Sequence, residues 1–251
     1  LAGRLLIFMN INIITLFPEI FEALNYGLLG QAIDREDIKI NILDLREHQI
    51  NKHGQVDDKP YGGGEGMVLM AEPLEKSLKD IPLDVLGKVI NLSPQGKLLN
   101  HEKAKELSSL TSITIISGRY EGIDERFISQ YVDEEISIGD FVLSGGEYAA
   151  LSLIDSLSRF IPGVIGNKIS VEQDSLSQGI LKGPVFTRPE NFNSELVPEV
   201  LLSGDHKKIQ EWKDNQALER TLKRRPELLK SAKLTKKQKK LLEELASKDI
   251  L

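Results

Sequence analysis

The segment SGRYEGIDERF, residues 117–127, sets a guanidinium, Arg119, and a carboxylate, Glu121, directly behind an apolar run of strand character. Ligands of parallel-sheet enzymes bind at the carboxyl ends of strands, where an Arg and a Glu suit charge stabilisation and proton transfer. Position alone leaves Glu121 a second reading, an acid favoured in a first helical turn by the helix dipole. Asp174, in SVEQDSLSQG, is another carboxylate beside glycine-bearing chain; by itself it reads as an Asx-turn or cap residue. SIGDFVLSGGE, residues 137–147, begins like a strand end, turns on a glycine pair and enters a helix-like segment. No Lys follows those glycines, so the segment does not match a phosphate loop.

Other chemistries fit less well. The chain has neither G-x-x-x-x-G-K-[ST] nor a G-x-G-x-x-G after its first strand, the spacings that cradle nucleotide phosphates. KPYGGGEGM has four glycines in five positions; such a loop turns sharply, approaches something closely, or is a mobile surface loop. With neither a strand before it nor a helix after it evident, it is a weak phosphate nest. The four histidines, His48, His53, His101 and His206, show no metal-binding spacing, and His48 and His53 read as exposed polar residues. Ser144 lies outside any G-x-S-x-G elbow. The absence of cysteine excludes disulfides, thiolate zinc sites and a Cys nucleophile, and suits a reducing cytoplasm.

The elements that must position these residues follow from periodicity. Strands are expected at residues 11–17, 38–45, 88–93, 112–117 and 134–139, and amphipathic helices at 19–33, 101–107, 123–131 and 147–160. Alternating strands and helices give a largely parallel, doubly wound α/β sheet covered on both faces. The alternation stops after Phe160; residues 161–190 hold four glycines and three prolines and read as a linker or lid. Helices follow, one capped by Asp205 with Ile209, Trp212, Leu218 and Leu222 as its apolar contacts, another capped by Thr235.

Charge is divided unevenly. Residues 201–251 carry 14 Lys/Arg against 8 Asp/Glu, while residues 1–200 carry 18 against 30. Charge alone leaves two readings, a tail that meets a polyanion or a solvated helical surface. No apolar run reaches the ~20 residues of a membrane span. The N-terminal run is broken by Asn10 and Asn12 and lacks a small-residue cleavage site; residues 1–8 read as an extension ahead of Met9.

Taken in order, ITLFPEIF, KPYGGGEGM, LSPQGK, SGRYEGIDER, SIGDFVLSGGE, SRFIPGVIG, DSLSQG, FTRPE and VPEVLLSGDH resemble the bacterial tRNA guanine-N1 methyltransferases of the SPOUT class. The resemblance implies an α/β fold with a SPOUT-type parallel sheet, a deep trefoil knot and a small C-terminal α-helical domain. Chain geometry alone would reject a knot. It also implies four parts: the extension 1–8, a knotted donor-binding domain at 9–165, a linker or lid at 166–182, and a tRNA-binding helical domain at 183–251. The implied enzyme is a cytoplasmic obligate homodimer with active sites at the subunit interface, acting on tRNA and not on DNA or membranes. S-adenosylmethionine is the methyl donor, with Mg2+ a further requirement in some members.

The resemblance also assigns residues. Asp174 looks like the general base for guanine N1. Arg159 resembles the arginine that assists the base or meets O6; without the family it would read as a surface residue. Glu121 resembles a carboxylate near the guanine or a metal ion. The donor pocket falls on Leu92, Ser93, Pro94 and Gln95; on Gly118, Tyr120, Glu121 and Gly122; and on Ser137, Ile138, Gly139, Asp140, Phe141, Val142 and Leu143 with Gly145 and Gly146. Lys207, Lys208, Arg220, Lys223, Arg224 and Arg225 are the expected phosphate contacts. Three positions depart from the family pattern: Asn91 stands where many relatives carry an aromatic, Tyr148–Ala149 replaces Leu-Pro, and Val185 replaces a His. The first two adjoin the expected donor pocket. The competing readings are a knotted methyltransferase for another RNA base and a non-catalytic RNA-binding dimer.

Overall fold

A computed structural model describes residues 9–50, 54–165 and 174–248, and the chain divides into two compact units between Gly166 and Asn167. The expected extension, His53 and residues 166–173 of the expected linker lie outside the described residues. In chain order the first unit contains β1 (Met9–Thr15), α1 (Gly27–Asp34), β2 (Ile38–Asp44), β3 (Asp57–Asp58), β4 (Val68–Leu69), α2 (Ala71–Lys79) and α3 (Leu83–Leu86). It continues with β5 (Lys88–Leu98), α4 (His101–Leu107), β6 (Ser112–Ile116), α5 (Glu125–Tyr131), β7 (Glu134–Ser137) and α6 (Glu147–Ser158). Five strands form one parallel sheet in the order β2-β1-β6-β5-β7.

Alternation along the strands sends side chains to two apolar layers. Ile11, Ile13, Ile90, Ile113 and Ile115 pack with Leu29, Leu107, Leu153, Ile154 and Leu157 on one face. Ile14, Leu16, Val89 and Ile116 pack with Leu74, Leu78 and Phe127 on the other. Each fully buried Leu or Ile contributes about 1.5–3 kcal/mol. The polar Asn12 is tolerated inside because its Nδ2 donates to the Val85 carbonyl at 2.8 Å and to Thr114 Oγ1 at 3.2 Å, while its Oδ1 accepts from Asn41 Nδ2 at 3.3 Å.

The structure differs from the sequence reading in three places that bear on function. The single helix expected at 19–33 is a 3-10 segment, Pro18–Asn25, followed by α1. Tyr26 is extended between them and Gly27 takes a left-handed φ of 69°, which glycine adopts without a Cβ penalty. The third sheet segment is longer than expected: β5 runs to Leu98, and Leu92 and Lys97 both register with Ile136 of β7. Residues 93–96 therefore leave the sheet and return to it. At Gly96 the chain crosses the Glu135–Ile136 peptide so closely that no Cβ would fit. The glycine-rich loop, finally, does have flanking structure. β3 and β4 pair antiparallel on either side of it, and α2 follows.

The second unit contains the hairpin β8 (Asn191–Phe192) and β9 (Glu195–Leu196), then α7 (Glu199–Leu202), α8 (His206–Arg224), a 3-10 turn at Pro226–Lys230 and α9 (Lys236–Lys248). Asp205 Oδ1 caps α8 by accepting from the Lys207 and Lys208 amides, both at 3.1 Å. Thr235 and Gln238 form a reciprocal capping box at α9: Oγ1 accepts from the Gln238 amide at 3.3 Å and Oε1 from the Thr235 amide at 2.9 Å. Ile180, Ala217 and Leu218 are its buried centre. Ile180 and the Leu181 amide, which donates to Thr221 Oγ1 at 3.0 Å, fasten residues just past Asp174 to α8.

Candidate active site

A cavity of about 400 Å³ opens at the carboxyl ends of the adjacent strands β6, β5 and β7. Its wall contains every residue expected at the donor pocket except Asp140, which is exposed and outside it. Arg119, inside the expected loop at 118–122, also lines it, as do Ile123, Glu125, Ile128 and Ser144, which the sequence reading did not assign to the pocket.

The excursion of residues 93–96 supplies one wall, and two glycine-bearing loops locked to each other supply another. The Gly146 amide donates to the Gly118 carbonyl at 2.8 Å. A Cβ on Gly146 would lie 2.9 Å from Gly118 N and Ser117 Cα. Gly146 has an ordinary φ of −73°. The second glycine of SGGE is therefore required by space and not by backbone twist. A side chain on Gly145 would run into the Arg119 side chain.

Behind these loops lies Glu147, 0% exposed, at the start of α6. Its Oε2 is 2.9 Å from Arg119 Nε, an ion contact without the alignment of a hydrogen bond. Its Oε1 accepts from Thr15 Oγ1 at 3.0 Å, and that hydroxyl accepts from the Phe17 amide at 3.0 Å. Arg119 Nη1 donates to the Ser144 carbonyl at 3.0 Å. The Phe17 ring lies 4.4 Å from the Arg119 guanidinium and 5.1 Å from that of Arg46, within cation–π range. Only an acid directly after the glycine pair marked Glu147 in the sequence, and that position also suits an ordinary first-turn acid.

Glu121 is exposed and lines the cavity. Its amide donates to the Met67 carbonyl at 3.0 Å, so the chain leaving the glycine-rich loop runs beside it. Gly66 has φ 86°, and a Cβ there would lie 2.6 Å from Glu121 Cγ and Oε1. The last glycine of GGGEG thus leaves room for Glu121. The charged side chains of the wall are Arg119, Glu121 and Glu125, and Glu147 offsets Arg119. The balance is acidic, which favours a cation and disfavours a phosphate. Main-chain groups of five glycines in the wall, Gly118, Gly122, Gly139, Gly145 and Gly146, suit a flat, uncharged base at close range.

Arg159 and Asp174 do not line this cavity. Arg159 is exposed at the C-cap of α6 in the first unit. Asp174 belongs to the second unit, where its Oδ1 lies 3.8 Å from Lys182 Nζ and its carbonyl accepts from Ser177 Oγ at 2.7 Å. Of the departures, Asn91 is 3% exposed, lines the cavity, and donates from Nδ2 to Glu135 Oε1 at 2.8 Å. Ala149 also lines the cavity, whereas Tyr148 is exposed outside its wall.

Residues 9–231 match the family model described as tRNA (Guanine-1)-methyltransferase TrmD. The chain belongs to this family. Members include a protein of Clostridium novyi that is 48% identical over 94% of the present chain and 97% of its own. Another, from Fusobacterium nucleatum, is 48% identical over 96% of this chain and 100% of its own, and one from Pseudoalteromonas atlantica is 48% identical over 93% and 89%. All three are named tRNA (guanine-N(1)-)-methyltransferase. Among the described residues no helix is long and apolar enough to cross a membrane, and no group of three or more His, Asp or Glu residues is placed to hold a metal ion.

Proposed function

We propose that this tRNA (guanine-N1)-methyltransferase binds S-adenosylmethionine in the cavity of the first unit and methylates N1 of the guanine immediately 3′ of the anticodon. One observation carries the assignment of the cavity: an acidic, glycine-walled site whose wall cation, Arg119, is offset by Glu147, at the carboxyl ends of three parallel strands, with Glu121 on its wall. Residues 92–95, 118–122 and 137–146 would hold the donor, largely through main-chain groups. When bound, the donor supplies a methyl already made electrophilic by its sulfonium.

The chain's own residues supply the rest. Guanine N1 carries a proton at neutral pH, and Asp174 takes it. Arg159 meets the negative charge that develops toward O6. Glu121 orients the base, and it is the wall carboxylate that would face Mg2+ if the ion accompanies the RNA. Asp174 lies in a different unit from the cavity. A homodimer in which each site draws on both subunits, with the SPOUT trefoil knot at its centre, brings them together. The exposed Phe141, Val142 and Tyr148 suit a covered face.

The helices of the second unit form the tRNA-binding domain. Lys208, Lys223 and Arg225 are engaged with Asp205, Glu219 and Glu227, and Lys207 and Arg224 are exposed along α8. These residues contact phosphates and make binding salt-dependent. Reaching N1 requires unstacking the guanine, which costs least in a loop.

The test is transfer of a labelled methyl group to tRNA transcripts with G or A at the position 3′ of the anticodon. Methylation confined to the G transcript is expected. Equal labelling of the A transcript would indicate another RNA base, and RNA binding without labelling would indicate a non-catalytic binder.

A further inference from the structure

The proposed chemistry leaves one fully buried acid without a role, Glu147. It sits behind the cavity wall, held by Thr15 through one oxygen and facing Arg119 through the other at 2.9 Å. Arg119 is 15% exposed and lines the cavity. Without Glu147, a guanidinium charge would stand on the wall of a site that takes a sulfonium.

We infer that Glu147 is a positioning residue that masks the Arg119 charge and so sets the cavity's preference for the cationic methyl donor over its neutral thioether product. This rests on the assignment of the cavity to the donor. Transfer moves the methyl from sulfur to N1; sulfur keeps the bonding electron pair, becomes uncharged, and the N1 proton passes to the base. Donor and product therefore share a nucleoside and an amino-acid tail and differ by one methyl and one positive charge. A site with an uncovered guanidinium would favour the product, and turnover would stall on product inhibition.

Arg119 is retained because it has other work. Its Nη1 binds the Ser144 carbonyl and its guanidinium rests on Phe17, fastening the SGGE loop to the end of β1. A cation is thus needed for assembly at a place where a cation is unwelcome to the ligand. Glu147 resolves the conflict from the side away from the cavity. With a fully buried carboxylate, neither water nor salt screens the pair strongly.

A purely structural role would weaken donor and product together; charge masking changes their ratio. Calorimetry with the full chain would give dissociation constants for S-adenosylmethionine and S-adenosylhomocysteine. In Glu147→Gln, which keeps the shape and the Thr15 contact, the donor-to-product affinity ratio falls about tenfold, the scale of one unmasked charge roughly 12 Å from the sulfonium at an effective dielectric near 20. In Arg119→Gln the ratio moves the other way, toward the donor. The double variant, with neither charge, returns to within about threefold of wild type. If one single variant fails to fold, the opposite shift in the other decides the matter. Equal loss of both ligands in every folded variant overturns the inference. A wild-type chain that binds neither ligand removes instead the cavity assignment beneath it.

Discussion

The Gly146 amide hydrogen-bonds the Gly118 carbonyl at 2.8 Å, and a Cβ on Gly146 would press to 2.9 Å on Gly118 N. The two loops of that cavity wall are thereby one packed unit. Gly146→Ala is expected to cost about 1–3 kcal/mol through overpacking and to weaken S-adenosylmethionine binding at least tenfold. Denaturant unfolding and calorimetry measure the two effects. A variant with wild-type affinity would mean that the loops can part without changing the site.

Gly62 and Gly66 separate backbone strain from contact with the catalytic region. Both have left-handed φ, 89° and 86°, but only a Cβ on Gly66 meets anything, namely Glu121. Alanine at either position is expected to cost about 1–2 kcal/mol in strain. Gly66→Ala alone should reduce kcat, because Glu121 must move. Comparable kcat in the two variants would remove Glu121 as an orienting group.

Asp174→Asn should bind S-adenosylmethionine as wild type does, since every residue lining the cavity lies between Asn91 and Ala149. Turnover should fall by about 10²–10⁴-fold, the usual contribution of a positioned base. Single-turnover methyl transfer at saturating tRNA checks this. Near-normal rates would eliminate Asp174 as the base.

Glu134 ties α4 to the edge of the sheet, with Lys88 Nζ at 2.6 Å and Lys103 Nζ at 2.9 Å. Burial raises the Glu134 pKa, but the two lysines outweigh it and hold the group below its ordinary 4.5. Lys103 is raised above 10.5, first by Glu134 and then by Glu106. The stabilisation from Glu134 is complete above about 4.5 and is lost as pH falls through its lower folded value. That from Lys103 is complete below about 10.5 and is lost as pH rises through its raised folded value. Glu134→Gln should cost about 1–2 kcal/mol at neutral pH, and its melting temperature should fall less steeply on acidification than that of wild type. Parallel acid profiles would show that Glu134 does not contribute to acid unfolding.

The sheet was legible because short runs rich in Ile recur at β1, β2 and β6, with Val-Ile at the start of β5, and a parallel sheet covered on both faces selects β-branched apolar residues. The helix break was harder to see. Gly27 lies inside an amphipathic pattern that continues across it, and periodicity gives no weight to a single left-handed residue. The pocket loops were found by resemblance, and their glycines by composition. Their physical reason was not legible: Gly145, Gly146 and Gly96 are set by contacts with Arg119, Ser117 and Glu135, distant in sequence. The Arg119–Glu147 pair was hidden for the same reason. Each residue alone fits an ordinary helix-end or loop role, and only the fold brings them to 2.9 Å.

A wall that carries five glycines limits how the pocket can drift. No substitution deletes a peptide C=O, and only one to proline removes an N–H, so a competing ligand that mimics the donor is escaped chiefly by moving a whole loop, at the cost of the donor's own fit. The inward-facing side chains offer the easier route. Asn91 and Ala149 both line the cavity, and substitutions at these two positions should change sensitivity to donor-site inhibitors more than substitutions at the wall glycines that leave the fold intact.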